Sequence, residues 1–300
     1  MIYLKYFIKF VELRTKIISI LPFTIALLFY LNNYAQVNGL NIFNFVLFFC
    51  SMVCFDMATT AINHCRGLTK EKDTTIYDSE ILMKMKQLNF TMKTNYLIVI
   101  TLICLATFFG LILTFNSNIG VLLLGMLAFL IGISYSFGPK PISCTPFGEL
   151  FAGGAMGILL PVIVLFSQYD QLPFELNPLL IVVFFPLAFL IGNILLANNI
   201  CDLEKDISNQ RFTLAYYLGK EKAATALLLS NVAAFGFIVI SIFLNYLSWT
   251  YLLLVVTLPS LTRNVQVFRQ KFSKNKSFPL IVKNFVIFST LFILLLFVNK

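Results

Sequence analysis

The sequence predicts an all-α membrane protein of nine transmembrane helices, with its N-terminus cytoplasmic and its C-terminus outside. Three observations predict it. Hydrophobic residues fill 59% of the 300 positions, charged residues only 12%, and mean hydropathy is +0.88, which excludes a water-soluble globule. The apolar residues gather in runs of about 20, enough for a helix to cross the hydrocarbon core. Of the 22 Lys and Arg, 21 fall in the N-terminal segment and in the alternate connections 66–93, 138–141, 201–222 and 263–283, the asymmetry that sets orientation in membranes. A wrong helix count would scatter these residues over both sides, so the asymmetry supports count and orientation together. The net charge of +9 is therefore read as topology, and no nucleic-acid partner is expected.

Residues 1–16 are amphipathic and basic, with Lys5, Lys9, Arg14 and Lys16 among aromatic and aliphatic neighbours. They lead without a convincing cleavage site into a first span at 17–31, read as a retained helix. Further spans are placed at 40–64, 95–115, 119–137, 148–167, 178–200, 223–245, 248–262 and 279–298, the eighth being short. No long linker or low-complexity segment interrupts them, so a single domain over 1–300 is expected. Cys50, Cys54, Cys65, Cys104, Cys144 and Cys201 show no paired spacing and read as small buried residues.

The polar residues concentrate after the sixth span, in GNILLANNICDLEKDISNQRFTLAYYLG (192–219). Asp202 and Asp206 are four apart and Asn198 lies one turn upstream, so on a helix all three share a face. Two carboxylates so placed repel each other unless a cation lies between them, and oxygen ligands suit Mg2+. A solvated, charge-rich connection is the alternative. In the second span Asp56 and Asn63 share a face with Thr59 and Thr60 between. An unpaired charge there costs on the order of 3 kcal/mol, so Asp56 should face the bundle interior; tying helices together is its plainer role. Lys140 stands between Pro139 and Pro141, which stiffen its loop and favour an oriented cation suited to phosphate; a topology anchor is the alternative. His64 reads as a polar helix-end residue, since no second His exists to share a metal. Acids, amides and cations thus converge at the cytoplasmic mouth of an apolar bundle, a pattern suited to an amphiphile with an anionic head.

Here the sequence resembles a known family. NNICDLEKDISNQRFTLAYYLG is similar to the second aspartate-rich motif of the UbiA-type intramembrane prenyltransferases, in the form typical of the 1,4-dihydroxy-2-naphthoate polyprenyltransferases of menaquinone synthesis. VELRTKIISILPF (11–23) and YSFGPKPISCTPFGEL (135–150) agree with that branch. The resemblance spans essentially the whole chain and implies a UbiA prenyltransferase-like bundle in the plasma membrane. It implies transfer of a prenyl chain from a polyprenyl diphosphate to an aromatic acceptor, with Mg2+ as cofactor. Asn63, Asn198, Asp202 and Asp206 would hold the metal, with Glu71, Asp73 and Arg211 beside the diphosphate and Lys140 stabilising its departure. Arg14, Lys16, Asp56 and Tyr135 would face the organic substrate, Arg14 or Lys16 holding an acceptor carboxylate. The departure lies in the first aspartate-rich motif, roughly NDxxDxxxD in the family: Asn63 matches, Glu71 replaces the last acid, and His64 and Gly67 occupy the two middle acid positions. That erosion leaves a non-catalytic paralogue binding isoprenoid diphosphates as one alternative. A secondary transporter is another, disfavoured by the lack of an internal repeat and by acids gathered at one face. The oligomeric state stays open.

Overall fold

The computed structural model describes residues 2–70, 83, 85, 88, 90–172 and 177–299. Among them, nine helices are long and apolar enough to cross a membrane. A short helix α1 (Ile2–Phe10) precedes α2 (Leu13–Asn33), α3 (Ile42–Lys70), α4 (Met92–Phe115), α5 (Ile119–Ser136) and α6 (Gly148–Phe166). There follow α7 (Pro178–Cys201), the short α8 (Leu203–Ser208), α9 (Leu214–Phe243), α10 (Trp249–Gln270) and α11 (Phe278–Val298).

Three spans run beyond the ends expected from hydropathy, each for a local reason. α3 continues past residue 64 to Lys70, its last turns carrying polar residues such as His64 and Arg66 that hydropathy does not count as span. α9 begins at Leu214, with Gly219 at φ +71 breaking its first turn from the rest; glycine takes that conformation at little cost. α10 opens as a 3₁₀ segment, Trp249–Thr257, and only then becomes α-helical to Gln270.

α7 is the axis of the bundle, with 61% of its apolar window buried against 22% for α4 and 17% for α5. The main core gathers α2, α9 and α11 around it, with Phe184, Leu187, Phe285, Phe288 and Phe292 fully enclosed. α6 reaches α7 through small residues. A Cβ on Gly157 would come within 2.3 Å of Ala188 N, and one on Gly153 within 2.4 Å of Ala188 O, so only glycine lets these backbones meet. Farther along α6, Pro161 removes a backbone donor, and the preceding Ala155–Leu159 turn widens to a π-helix, the adjustment that relieves a proline's clash with the turn before it. α4 and α5 are the least buried of the spans, and space remains between α3, α4, α5 and α6.

Candidate active site

At one end of the bundle α7 stops and restarts. Cys201 ends the helix, Asp202 takes φ −97 and ψ 11, and α8 begins at Leu203. The bond from Asp206 N to Asp202 O, 2.8 Å, keeps the four-residue spacing across this break. α8 closes with Gln210 at φ 56, and Arg211 N returns to Asp206 O at 2.8 Å, a left-handed cap. The cap folds the Arg211 side chain back over its own helix, placing Nε 3.4 Å from Asp206 Oδ1. Asp206 is 3% exposed and its Oδ2 has no hydrogen-bond partner among the described residues. Burial pushes the Asp206 carboxyl up to about 6; Arg211 opposes the shift and Asp202 reinforces it. Asp202 pairs with Lys274.

The connection after α5 docks onto this loop. Phe212 N bonds Cys144 O at 3.2 Å, Arg211 Nη2 reaches Ser143 O at 3.4 Å, and Arg66 Nη2 meets Cys144 Sγ at 3.0 Å. Glu149, one residue into α6, is 8% exposed and accepts 2.9 Å from Asn199 Nδ2, beside Asn198.

The chain before α2 forms the facing wall. Glu12 turns through a left-handed conformation, φ 46, and its Oε1 lies 3.2 Å from His64 Nε2. Burial raises the Glu12 carboxyl, but the hydrogen bond with His64 and the charges of His64, Lys16 and Lys274 overcome it and hold the group below its ordinary value. Lys16, 3% exposed, gives all three ammonium hydrogens to α3: Asp56 Oδ1 at 2.8 Å, Asp56 O at 3.1 Å and Thr60 Oγ1 at 2.7 Å. Ser19 Oγ donates to the other Asp56 oxygen.

A cavity of about 450 Å³ runs from this mouth between α3, α4, α5 and α6. Its walls are almost wholly apolar. Asp56, Thr59 and Tyr135 stand on its lining, and the stacked rings of Phe55 and Phe129, 4.0 Å between centroids, form part of its side. Tyr135 lines the cavity at the end of α5, and the connection that follows it meets the loop through Ser143 and Cys144.

The structure therefore brings Asp202, Asp206, Arg211, Asn198 and Tyr135 to one end of the bundle, with Asp56 and Lys16 on the cavity's edge. Asn63, Arg14 and Lys140 are exposed there, Lys140 following Gly138 at φ +115. Glu71 and Asp73 lie outside the described residues. Three partners escaped the sequence reading, Glu12, Glu149 and Lys274; Asn199 stands in the polar stretch 192–219 but carries no assigned role there. Glu149 carried a signal, being the lone acid in the apolar run 148–167; membrane-embedded acids are functional candidates by default. Lys274 carried none, lying 72 residues from Asp202.

Residues 20–292 match the UbiA prenyltransferase family. The chain belongs to that family. A curated relative, the 1,4-dihydroxy-2-naphthoate octaprenyltransferase of Bacillus subtilis (strain 168), is 38% identical over 135 residues; the match spans 45% of this chain and 42% of that relative. Among solved structures, a UbiA homologue from Archaeoglobus fulgidus bound to DMAPP and Mg2+ aligns at TM-score 0.63 and 16% identity, covering 98% of each chain. The same homologue bound to Cd2+ gives 0.67 at 15% identity over 97% of this chain and 98% of that one. A digeranylgeranylglyceryl phosphate synthase gives 0.61 at 15% identity over 100% and 99%. These likenesses fix the UbiA fold. The chain is a multi-pass membrane protein of this prenyltransferase family.

The UbiA chain's own residues also fit a divalent cation. Among the described residues no three His, Cys, Asp or Glu side chains form a ready metal cluster. Asp206 nonetheless keeps a buried oxygen without a partner, and a second carboxylate, Asp202, lies in range. Oxygen donors of that kind, supplemented by substrate phosphates, suit magnesium.

Proposed function

We propose that this UbiA-family chain, acting as a single domain over residues 1–300, transfers a prenyl chain from a polyprenyl diphosphate to an aromatic acceptor. The acceptor is 1,4-dihydroxy-2-naphthoate, and the site faces the cytoplasm from the plasma membrane. The observation that carries the reading is the junction of an anion-handling mouth with an apolar cavity at the end of α5, where Tyr135 lines the cavity and the following connection holds Arg211 and Phe212. The naphthoate relative supports the acceptor, and the homologue's DMAPP and Mg2+ support the donor and metal.

Asp202 and Asp206, with Asn198 and Asn63, would hold Mg2+, which when bound neutralises the diphosphate and makes it a better leaving group. Lys274 and Arg211, now on those two carboxylates, are placed to take phosphate oxygens, and Lys140 adds an exposed cation on its proline-flanked loop. His64 and Gly67 stand where the family carries acids, and Glu12 brings a carboxylate to the His64 position from across the site. The cavity holds the prenyl tail and keeps water from the allylic carbon, with the Phe55 and Phe129 ring faces stabilising positive charge. Because Lys16 has no donor left, the acceptor's carboxylate falls to exposed Arg14, two residues away.

Purified protein incubated with a panel of prenyl diphosphates, Mg2+ and aromatic acceptors tests this by mass detection of products. A prenylated naphthol that has lost its carboxylate is expected, and a panel without any prenylated product would refute the reading. Orientation is tested separately: a cysteine introduced by Lys140→Cys should react with an impermeant thiol reagent only after the cytoplasmic side is opened.

A further inference from the structure

Glu149 has two unequal oxygens. Oε1 accepts from Asn199, whereas Oε2 is buried and has no hydrogen-bond partner among the described residues. A buried acceptor left without a donor is unfavourable, so the position calls for a donor. The group is rigidly held: a Cβ on Gly192 of α7 would lie 3.3 Å from the Glu149 carbonyl oxygen, and the first turn of a helix favours a carboxylate. Its direction follows from α6. Glu149, Ala152 and Met156 succeed one another at three- and four-residue spacing and share a face, and Ala152 and Met156 line the cavity. Glu149 is thus the acid that continues this wall toward the aspartate loop, which it meets at Asn199, three residues before Asp202.

We propose that Glu149 is the base that receives the hydroxyl proton of the aromatic acceptor. The inference rests on the prenyl-transfer reading. An aromatic ring lying between the tail cavity and the Asp202–Asp206 loop has a hydroxyl against Glu149 Oε2. The O–H proton passes to that oxygen and its electron pair enters the ring. The ring carbon then bonds to C1 of the prenyl group as the C1–O bond breaks, and diphosphate leaves with that pair. Loss of carbon dioxide or a proton from the attacked carbon restores aromaticity, and the ring oxygen regains a proton. Asn199 holds the carboxylate in place through the other oxygen.

The test uses the full chain in lipid nanodiscs with geranyl diphosphate, Mg2+ and 1,4-dihydroxy-2-naphthoate. Glu149→Gln keeps an oxygen for Asn199 and should lower turnover about 100-fold, the scale of a positioned base. KM for geranyl diphosphate, Mn2+ binding and slow acceptor-independent diphosphate release should stay unchanged. A naphthol carrying electron-withdrawing groups, already ionised at the assay pH, should restore the variant to within about 3-fold of wild type, because no proton then needs a base. Should the Gln variant fail to fold, Glu149→Asp, which retains the charge but withdraws it by one methylene, should show the same acceptor-dependent loss. Equal losses with neutral and ionised acceptors, loss of Mn2+ binding, or near-wild-type turnover would each overturn the assignment. A wild-type protein that makes no prenylated product defeats the prenyl-transfer reading and the assignment with it, whereas an active wild type with an indifferent Glu149 defeats the assignment alone.

Discussion

Lys16 and Asp56 form an ion pair of 2.8 Å in which the lysine is 3% exposed and has every hydrogen engaged on α3. The pair pins the start of α2 to the middle of α3 beside the cavity. Removing one partner leaves the other charge buried alone, which costs about 3–5 kcal/mol. Asp56→Asn should therefore lower the unfolding midpoint in detergent far more than Lys16→Met combined with Asp56→Leu, which removes both charges. Thermal melts of the two proteins check the order.

Glu12 answers differently to pH. Its folded carboxyl lies below the ordinary value of 4.5, so it contributes stability that is present above that value and lost as pH falls through the folded pKa. His64→Phe should remove the largest of the lowering influences and flatten the acid limb below about pH 4.5. Melting curves from pH 7 to 3 measure it. If Glu12 also serves the metal, Glu12→Gln should weaken Mn2+ binding in addition to lowering the melt at pH 7, where the ionised group contributes its stability.

Asp206 has the opposite sign. Its pKa, about 6 against an ordinary 3.8, means that ionisation penalises the fold increasingly as pH rises between those values. In metal-free buffer Asp206→Asn should be at least as stable as wild type at pH 7.5, and that advantage should vanish below about pH 4. Its turnover should nevertheless fall at least 100-fold, the scale expected when transition-state charge loses its stabiliser. A matched loss of stability and activity would make Asp206 a structural residue.

Gly125 lines the cavity and a Cβ there meets nothing within 4 Å. Gly125→Phe should fold normally and shift preference toward shorter prenyl diphosphates by occupying tail space. Gly157→Leu, whose first added carbon meets Ala188 N at 2.3 Å, should separate α6 from α7 and cost at least 1–3 kcal/mol. Product chain lengths for one and thermal melts for the other distinguish a site residue from a packing residue.

Much of this protein was legible in its sequence because a bilayer imposes a simple rule: backbone polar groups must be satisfied within each segment, so about 20 apolar residues mean a helix. That rule located the nine spans and the polar stretch after the sixth, and the four-residue spacing of Asp202 and Asp206 survived the break between α7 and α8. Helix ends were less legible, because α3 and α10 outrun their apolar runs on polar residues that hydropathy cannot distinguish from loops. What only the tertiary structure decided is which charge meets which. Lys274 reaches Asp202 across 72 residues and Lys16 reaches Asp56 across 40, pairings set by how helices pack and not by any local period. Glu12 stands against His64 through one left-handed residue, and Glu149 against Asn199 because two glycine-lined backbones approach within contact. Local chemistry is written in spacing, but a site at a helix junction is assembled by packing.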